Sequence, residues 1–254
     1  MIALVEAECY NPGSGRMDWG WLVVTAGAAA LSFLFQRDEQ RRSNAYQAYC
    51  RAHGYGFVGT SEQGYHRLAP IFLDMSQASD RHRMFQEWRY VITGQYNGAS
   101  FTAFEYRSAE QWFDSTKPTW GRPVWSAHAV LLWDLPDAQL PMFVVVPESL
   151  WKRFGEVLGQ KQNIRFPDDP AFSRTYRLQG DDEAAVRGLF APTLRAHFAA
   201  HGMLHLTGFR HQVVWWRDAR LPSAAELPAF LAEGDAIRRL FPRPGSAVPP
   251  EPSH

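Results

Sequence analysis

The residues best suited to chemistry are histidines grouped near the C-terminus. His197 and His201 are spaced i and i+4 in the segment HFAAH, so on a helix their rings lie on one face and could share a metal ion. His205 and His211 follow in the sequence, but Gly202 is expected to end the helix before His205. The zinc-peptidase motif requires a Glu directly after its first His to activate water, and here that position is Phe198. We therefore keep His197, His201 and His205 as candidate metal ligands, with a structural or surface role as the alternative.

Acidic residues offer a weaker case for acid–base chemistry. They cluster near predicted turns and helix starts, where carboxylates ordinarily cap helices and complement the helix dipole. The residues concerned are Asp168, Asp169, Asp181, Asp182 and Glu183. Glu105 and His128 fall on predicted strands and would face one another in only one register, so a satisfied core or edge pair is the favoured interpretation. The sequence contains no phosphate loop, dinucleotide-binding glycine fingerprint, nucleophile elbow or CxxC pair, so we predict no catalytic residues and no cofactor.

Aromatic residues mark a candidate interaction site. Trp112, Phe113 and Trp120 lie in a predicted long loop over residues 108–123. Long loops are uncommon without a function, and exposed aromatic side chains favour a partner. The loop is therefore the best candidate in the sequence for contact with a protein partner or with the membrane interface. The favoured alternative is that its rings fold back over the sheet.

An uncharged run from Trp19 to Phe35 is predicted to form a transmembrane helix over residues 19–36. Its length is near the lower limit for crossing a bilayer, for which ~20 apolar residues are typical. Trp19 and Trp21 suit one membrane interface, because an indole ring has an apolar body and one polar N–H. At the other interface Arg37, Arg41 and Arg42 supply positive charge. We expect these five residues to anchor the chain in a lipid bilayer.

The basic residues around this run predict its orientation. Only Arg16 precedes it, whereas Arg37, Arg41 and Arg42 follow it closely. The positive-inside rule then places the N-terminus outside and the folded domain in the cytoplasm of a bacterium, at the inner membrane. Two alternatives remain: a cleaved signal peptide, which would make the protein secreted and soluble, and a buried helix of a soluble protein.

The remaining chain is predicted to hold one soluble α+β domain over residues 37–241. Residues 1–18 and the Pro-rich tail at 242–254 are predicted to be disordered. Lys and Arg together number 26, as do Asp and Glu, so the net charge is zero and a general nucleic-acid binder is not expected. Cys50, on the predicted helix after the span, is interpreted as a packed thiol, with acylation as the alternative.

Alternating apolar residues predict the sheet. A β-hairpin is expected from Met84 to Arg107, with Asn97-Gly98 as its turn, because this pair accepts the positive φ angles of a type I′ turn. Within it, Trp88, Tyr90 and Ile92 are expected on one strand face. Further strands are predicted at 125–133 and 142–146, and helices alternate with short strands after residue 147. The fold class is therefore α+β, with a mostly antiparallel sheet and helices packed on one face.

The order of these segments resembles a family of uncharacterised bacterial single-pass membrane proteins. The resemblance covers roughly residues 20–240 and rests on FQRDEQRRSNAYQAYCRAHGYGF, FTAFEY, PESLWKRFGEVLG and FSRTYRLQGDD. It implies a membrane-anchored domain and carries no catalytic residue with it. The favoured hypothesis is a membrane-anchored, non-catalytic binding module. The alternatives are a metal-dependent hydrolase that uses His197 and His201, or a secreted soluble protein.

Overall fold

Helices occur at both ends of the described chain and between the strands of its second half. The computed structural model describes residues 19–61, 82–114, 116, 119–150, 163–202 and 204–241. The helices there are α1 (Trp19–His53), α2 (Pro170–Thr175), α3 (Glu183–Leu189), α4 (Pro192–His201) and α5 (Leu227–Arg238). A short 3-10 turn, Glu148–Leu150, follows the sixth strand.

The strands form one sheet in which neighbours run antiparallel. They are β1 (Gly56–Ser61), β2 (His82–Tyr96), β3 (Ala99–Asp114), β4 (Thr119–Trp120), β5 (Val124–Asp134), β6 (Leu140–Pro147), β7 (Tyr176–Gly180), β8 (His205–Arg210) and β9 (Gln212–Arg217). Their spatial order is β1-β2-β3-β5-β9-β8-β6-β7, and β4 pairs with β3 beside this path. The predicted α+β class with an antiparallel sheet is confirmed.

The β2–β3 hairpin turns where the sequence predicts. Asn97 and Gly98 adopt φ angles of 48° and 76°, the left-handed region that a type I′ turn requires at both central positions. Tyr96 pairs with Ala99, and the ladder continues from there towards His82 and Trp112. The predicted hairpin is confirmed, with both strands longer than expected.

A β-bulge in β2 changes which side chains share a face. The pairing with β3 shifts between Arg89 and Ile92, and Tyr90 has a φ of 53°. Trp88 lies on one face of the sheet, whereas Tyr90 and Ile92 lie on the other. The expectation that all three share a face is wrong, because the extra residue of a bulge interrupts the alternation of side chains.

The main core lies between the sheet and the helices. Tyr46 and Cys50 of α1, Phe198 of α4 and Phe230 of α5 are buried in one cluster with strand residues such as Trp215. Burial raises the pKa of the Cys50 thiol to about 11, so the packed thiol is the interpretation that the structure favours. The helices are thus joined to the sheet by a continuous apolar layer.

The opposite sheet face carries a second buried cluster, made of strand residues. Its members are Trp88, Val91, Phe104, Tyr106, Val130, Leu132, Val144, Val146, Val214 and Trp216. Both faces of the central strands are therefore apolar. This explains the near-continuous apolar sequence of β5.

The chain divides into two compact units, residues 1–42 and residues 43–254. Within the described part of the chain, no helix is both long enough and apolar enough to cross a membrane. The predicted membrane span at 19–36 stays a prediction. The segments predicted to be disordered, 1–18 and 242–254, lie outside the described residues.

Candidate functional site

Two of the three candidate metal ligands lie together on α4. The rings of His197 and His201 stack with their centroids 3.9 Å apart, and Nδ1 of His201 lies 2.9 Å from the carbonyl oxygen of His197. Partial burial and the neighbouring His201 lower the pKa of His197. The i, i+4 spacing therefore produces the expected shared helix face.

His205 lies instead on β8, with its ring stacked on that of Trp216 at a centroid distance of 5.1 Å. Among the residues that the structure describes, no three side chains of His, Cys, Asp or Glu are grouped so that they could hold a metal ion. The described residues thus offer no metal centre that includes His197, His201 and His205.

The acidic residues near helix starts act as caps. Asp169 accepts a hydrogen bond from the backbone N–H of Phe172 at the start of α2, and Asp182 does the same for Ala185 in α3. Asp168 accepts a 2.6 Å hydrogen bond from the buried Arg195, which lowers the pKa of that carboxyl. These carboxylates have the structural role that their positions suggest.

Glu105 and His128 lie on opposite faces of the sheet, so they do not face one another and each has a partner of its own. In the β3–β5 register Glu105 pairs with Ala129, and His128 pairs with Tyr106. Glu105 is fully buried on the helix side, where it accepts a hydrogen bond from the backbone N–H of Leu221. The shift of one residue in register moves the side chain to the other face.

His128 instead forms a pair that sequence reasoning missed. Its Nδ1 atom lies 2.8 Å from Oδ1 of Asp218, which follows directly after β9. The His128 ring also stacks on Tyr106, with centroids 6.1 Å apart and planes inclined by 28°. The side chain of His128 is 11% exposed and that of Asp218 is 40% exposed, so the pair lies where the sheet face meets solvent.

A second histidine, His205, lies near the other oxygen of the Asp218 carboxylate. Nε2 of His205 lies 3.8 Å from Oδ2 of Asp218, too far for a hydrogen bond. Burial lowers the pKa of His205 to about 4, although the charge of Asp218 opposes this shift. His205 is therefore neutral at neutral pH, and its contact with Asp218 is not an ion pair there.

Two serines on β3 and β5 lie on the same sheet face as His128. Ser108 and Ser126 pair across the strands, with their Oγ atoms 2.9 Å apart. One step further, Val124 is 73% exposed. Because alternate residues of a strand share a face, His128, Ser126 and Val124 form a line from the sheet interior to solvent.

The predicted aromatic loop is mostly strand. Trp112 and Phe113 belong to β3, and Trp120 belongs to β4, where it pairs with Phe113. Trp120 is half-buried, whereas Trp125 at the start of β5 is 48% exposed. The prediction of a loop over 108–123 is therefore wrong for residues 108–114 and 119–120, because an edge of β3 remains available for β4.

The His128–Asp218 pair had no local sequence signal. The two residues are 90 positions apart and meet because β5 and β9 pair, with Ala129 opposite Arg217. A histidine on a strand and an aspartate after another strand are common, so only the strand pairing reveals the pair.

Comparisons with known proteins give little further information. No protein-family model and no curated protein matches the sequence. The crystal structure of the mycobacterial trehalose monomycolate transport factor A, TtfA, is similar with a TM-score of 0.47 and 11% identity, over 80% of this chain and 97% of that chain. A likeness at this level carries no argument about function, so the function is argued from the residues alone.

Proposed function

We propose that the protein is a binding module that contacts a protein partner through the start of β5. The β5-start surface is the exposed end of this strand, formed by Val124 and Trp125, whose side chains lie on opposite faces of the sheet. Trp120 is at the end of the preceding strand, β4. The observation that supports it is the exposure of Val124 and Trp125, 73% and 48%, in a chain whose other strands bury most of their large apolar side chains.

These side chains stand on a rigid support. Val124 and Trp125 pair with Glu110 and Ala109 of β3, and Gln111 donates a 2.8 Å hydrogen bond to the carbonyl oxygen of Gly121 just before them. Because these side chains are already ordered, binding a partner would cost them little conformational entropy. Tryptophan is also among the residues that contribute most to binding energy at interfaces.

We further propose that α1 tethers this module to a bilayer, with the folded domain on the cytoplasmic side. The support is the exposure of Leu31, Phe33, Leu34 and Phe35, which lies between 58% and 70%. At about 100° per residue these side chains point to more than one side of the helix. A helix that is apolar on several sides suits an apolar surrounding better than one-sided packing.

The β5-start surface is tested by affinity capture from membranes of the organism that makes the protein. The wild type is compared with a Val124→Ser, Trp125→Ser double variant, and Val58→Ser serves as the matched control because Val58 is 45% exposed on β1. We expect one partner that the control retains and the double variant loses. A partner set that is the same for all three proteins would contradict the proposal.

The tether is tested separately by flotation with lipid vesicles. The full chain should float with vesicles, and a chain that begins at Ser43 should remain in the aqueous fraction. If both float, or neither does, α1 is not the tether.

A further inference from the structure

We infer that His128, held by Asp218, is a general base that can hydrolyse small uncharged esters at the solvent edge of the second sheet face. The inference does not rest on the proposed binding function, and it shares only Val124 with the β5-start surface. It rests on the 2.8 Å contact between Nδ1 of His128 and Oδ1 of Asp218, and on the position of the pair at the border of the buried cluster.

The contact with Asp218 fixes the imidazole tautomer. A carboxylate can only accept a hydrogen bond, so Nδ1 of His128 carries the proton and donates it. Nε2 then keeps its lone pair. Among the described residues none is hydrogen-bonded to this Nε2 atom. An imidazole oriented by a carboxylate, with its second nitrogen available, is the arrangement that accepts a proton from water or a hydroxyl group.

The surroundings of the pair define the class of substrate. On the same sheet face, Ser126 is the next residue before His128 on β5, and Ser108 pairs with it from β3. The exposed Val124 is the next residue on this face after Ser126. The neighbouring Tyr106 is neutral, because burial raises the pKa of its hydroxyl group well above its ordinary range. This combination suits a neutral substrate with a polar carbonyl group and an apolar part.

The chemical step needs only water and the substrate. Nε2 of His128 takes a proton from a water molecule while the water oxygen forms a bond to the ester carbonyl carbon. The bond between that carbon and the leaving oxygen then breaks, and the leaving oxygen takes the proton back from the imidazolium. Asp218 acts as a positioning residue, since it holds the ring and stabilises the positive charge that forms on it.

The test uses 4-nitrophenyl acetate as the probe substrate and the full chain as the enzyme. We expect His128→Gln to lower kcat/KM at least tenfold, to the level of the protein-free reaction. His211→Gln is the matched control, because His211 is an exposed histidine in the β8–β9 turn. Equal rates for His128→Gln and the wild type would overturn the inference, as would a loss of the same size in His211→Gln.

The role of Asp218 is read from nitrogen NMR of the His128 ring. The wild type should show the proton on Nδ1, and Asp218→Asn should change the tautomer and lower kcat more than it raises KM. Asp218→Glu should restore part of the rate. If Asp218→Asn keeps both the tautomer and the rate, Asp218 does not position the ring. Each variant is first compared with the wild type by circular dichroism. If His128→Gln fails to fold, Asp218→Asn decides the question.

Discussion

Nδ2 of Asn97 donates a 2.8 Å hydrogen bond to Oδ2 of Asp235, joining the β2–β3 turn to α5 across 138 positions of sequence. Asp235 also contacts Arg238 of the same helix and Arg239, the residue directly after it. Burial of Asp235 opposes its ionisation. The hydrogen bonds from Asn97 and Arg238 outweigh that effect and hold the pKa of Asp235 below its ordinary value. Asn97 therefore has two roles, since it also supplies the positive φ of the turn.

The two roles of Asn97 can be separated by substitution. Asn97→Gly keeps the positive φ and removes the amide, and we expect it to lower the free energy of unfolding by about 1–2 kcal/mol, because a hydrogen bond to a charged group is lost. Asn97→Ala loses the turn preference as well and should cost more. Urea denaturation measures both. A loss confined to Asn97→Ala would show that the contact with Asp235 adds nothing.

Gly234 of α5 packs directly against side chains of the sheet. A Cβ atom at this position would overlap the side chain of Leu131 and would also meet Trp133. We expect Gly234→Ala to destabilise the fold by about 1–3 kcal/mol, the usual range for overpacking. Gly188→Ala in α3 is the control, since its Cβ meets nothing within 4 Å, and it should be neutral or stabilising. Thermal unfolding should give a clearly lower melting temperature for Gly234→Ala and an unchanged or higher one for Gly188→Ala. Equal melting temperatures would contradict the prediction.

Acid should weaken the fold through His205. Its folded-state pKa of about 4 lies below its ordinary value of 6.5, so the unfolded chain takes up a proton first as the pH falls. Stability is therefore complete above pH ~6.5 and declines towards pH ~4, by up to about 3 kcal/mol. His205→Phe keeps a ring against Trp216 and should flatten this dependence in urea melts between pH 7 and pH 4.5. His211→Phe should leave the dependence unchanged. If the stability of His205→Phe fell as steeply with pH as that of the wild type, the acid effect would come from other groups.

Glu105 is a buried carboxylate whose loss should be costly. It accepts a hydrogen bond from the backbone N–H of Leu221 and forms an ion pair with Arg107, whose Nε lies 3.0 Å from Oε1. Glu105→Ala removes both interactions, and we expect a loss of about 3 kcal/mol or more. Glu105→Gln retains one oxygen and should cost less. Similar losses for the two variants in urea denaturation would mean that side-chain volume, not hydrogen bonding, decides the effect.

Local chemistry made parts of the fold predictable from the sequence. Asn97-Gly98 specifies its own turn type, and the apolar run from Trp125 to Trp133 forms a central strand as expected. The acidic residues at 181–183 correctly predict a helix start, although the capping residue is Asp182 and not Asp181. In each of these cases the determining residues are close together in the sequence.

Features that depend on distant residues were not predictable in the same way. The bulge at Tyr90 leaves the apolar pattern of β2 intact, and only the register with β3 shows that Trp88 faces away from Ile92. The His128–Asp218 pair requires β5 and β9 to be neighbours. The extension of β3 through Trp112 and Phe113 was also not predictable from local sequence, because it depends on pairing with β2 and β4.

The position of β9 in the sheet also constrains how the protein is made. Strand β9 is the last strand of the described chain to be synthesised, yet it lies in the middle of the sheet, between β5 and β8. Until the ribosome has released Gln212–Arg217, the nascent chain holds an open β5 edge that includes Leu131 and Trp133. Open apolar edges are sites of aggregation. Sheet closure must therefore wait until β9 has been synthesised, and the apolar β5 edge can aggregate in that interval.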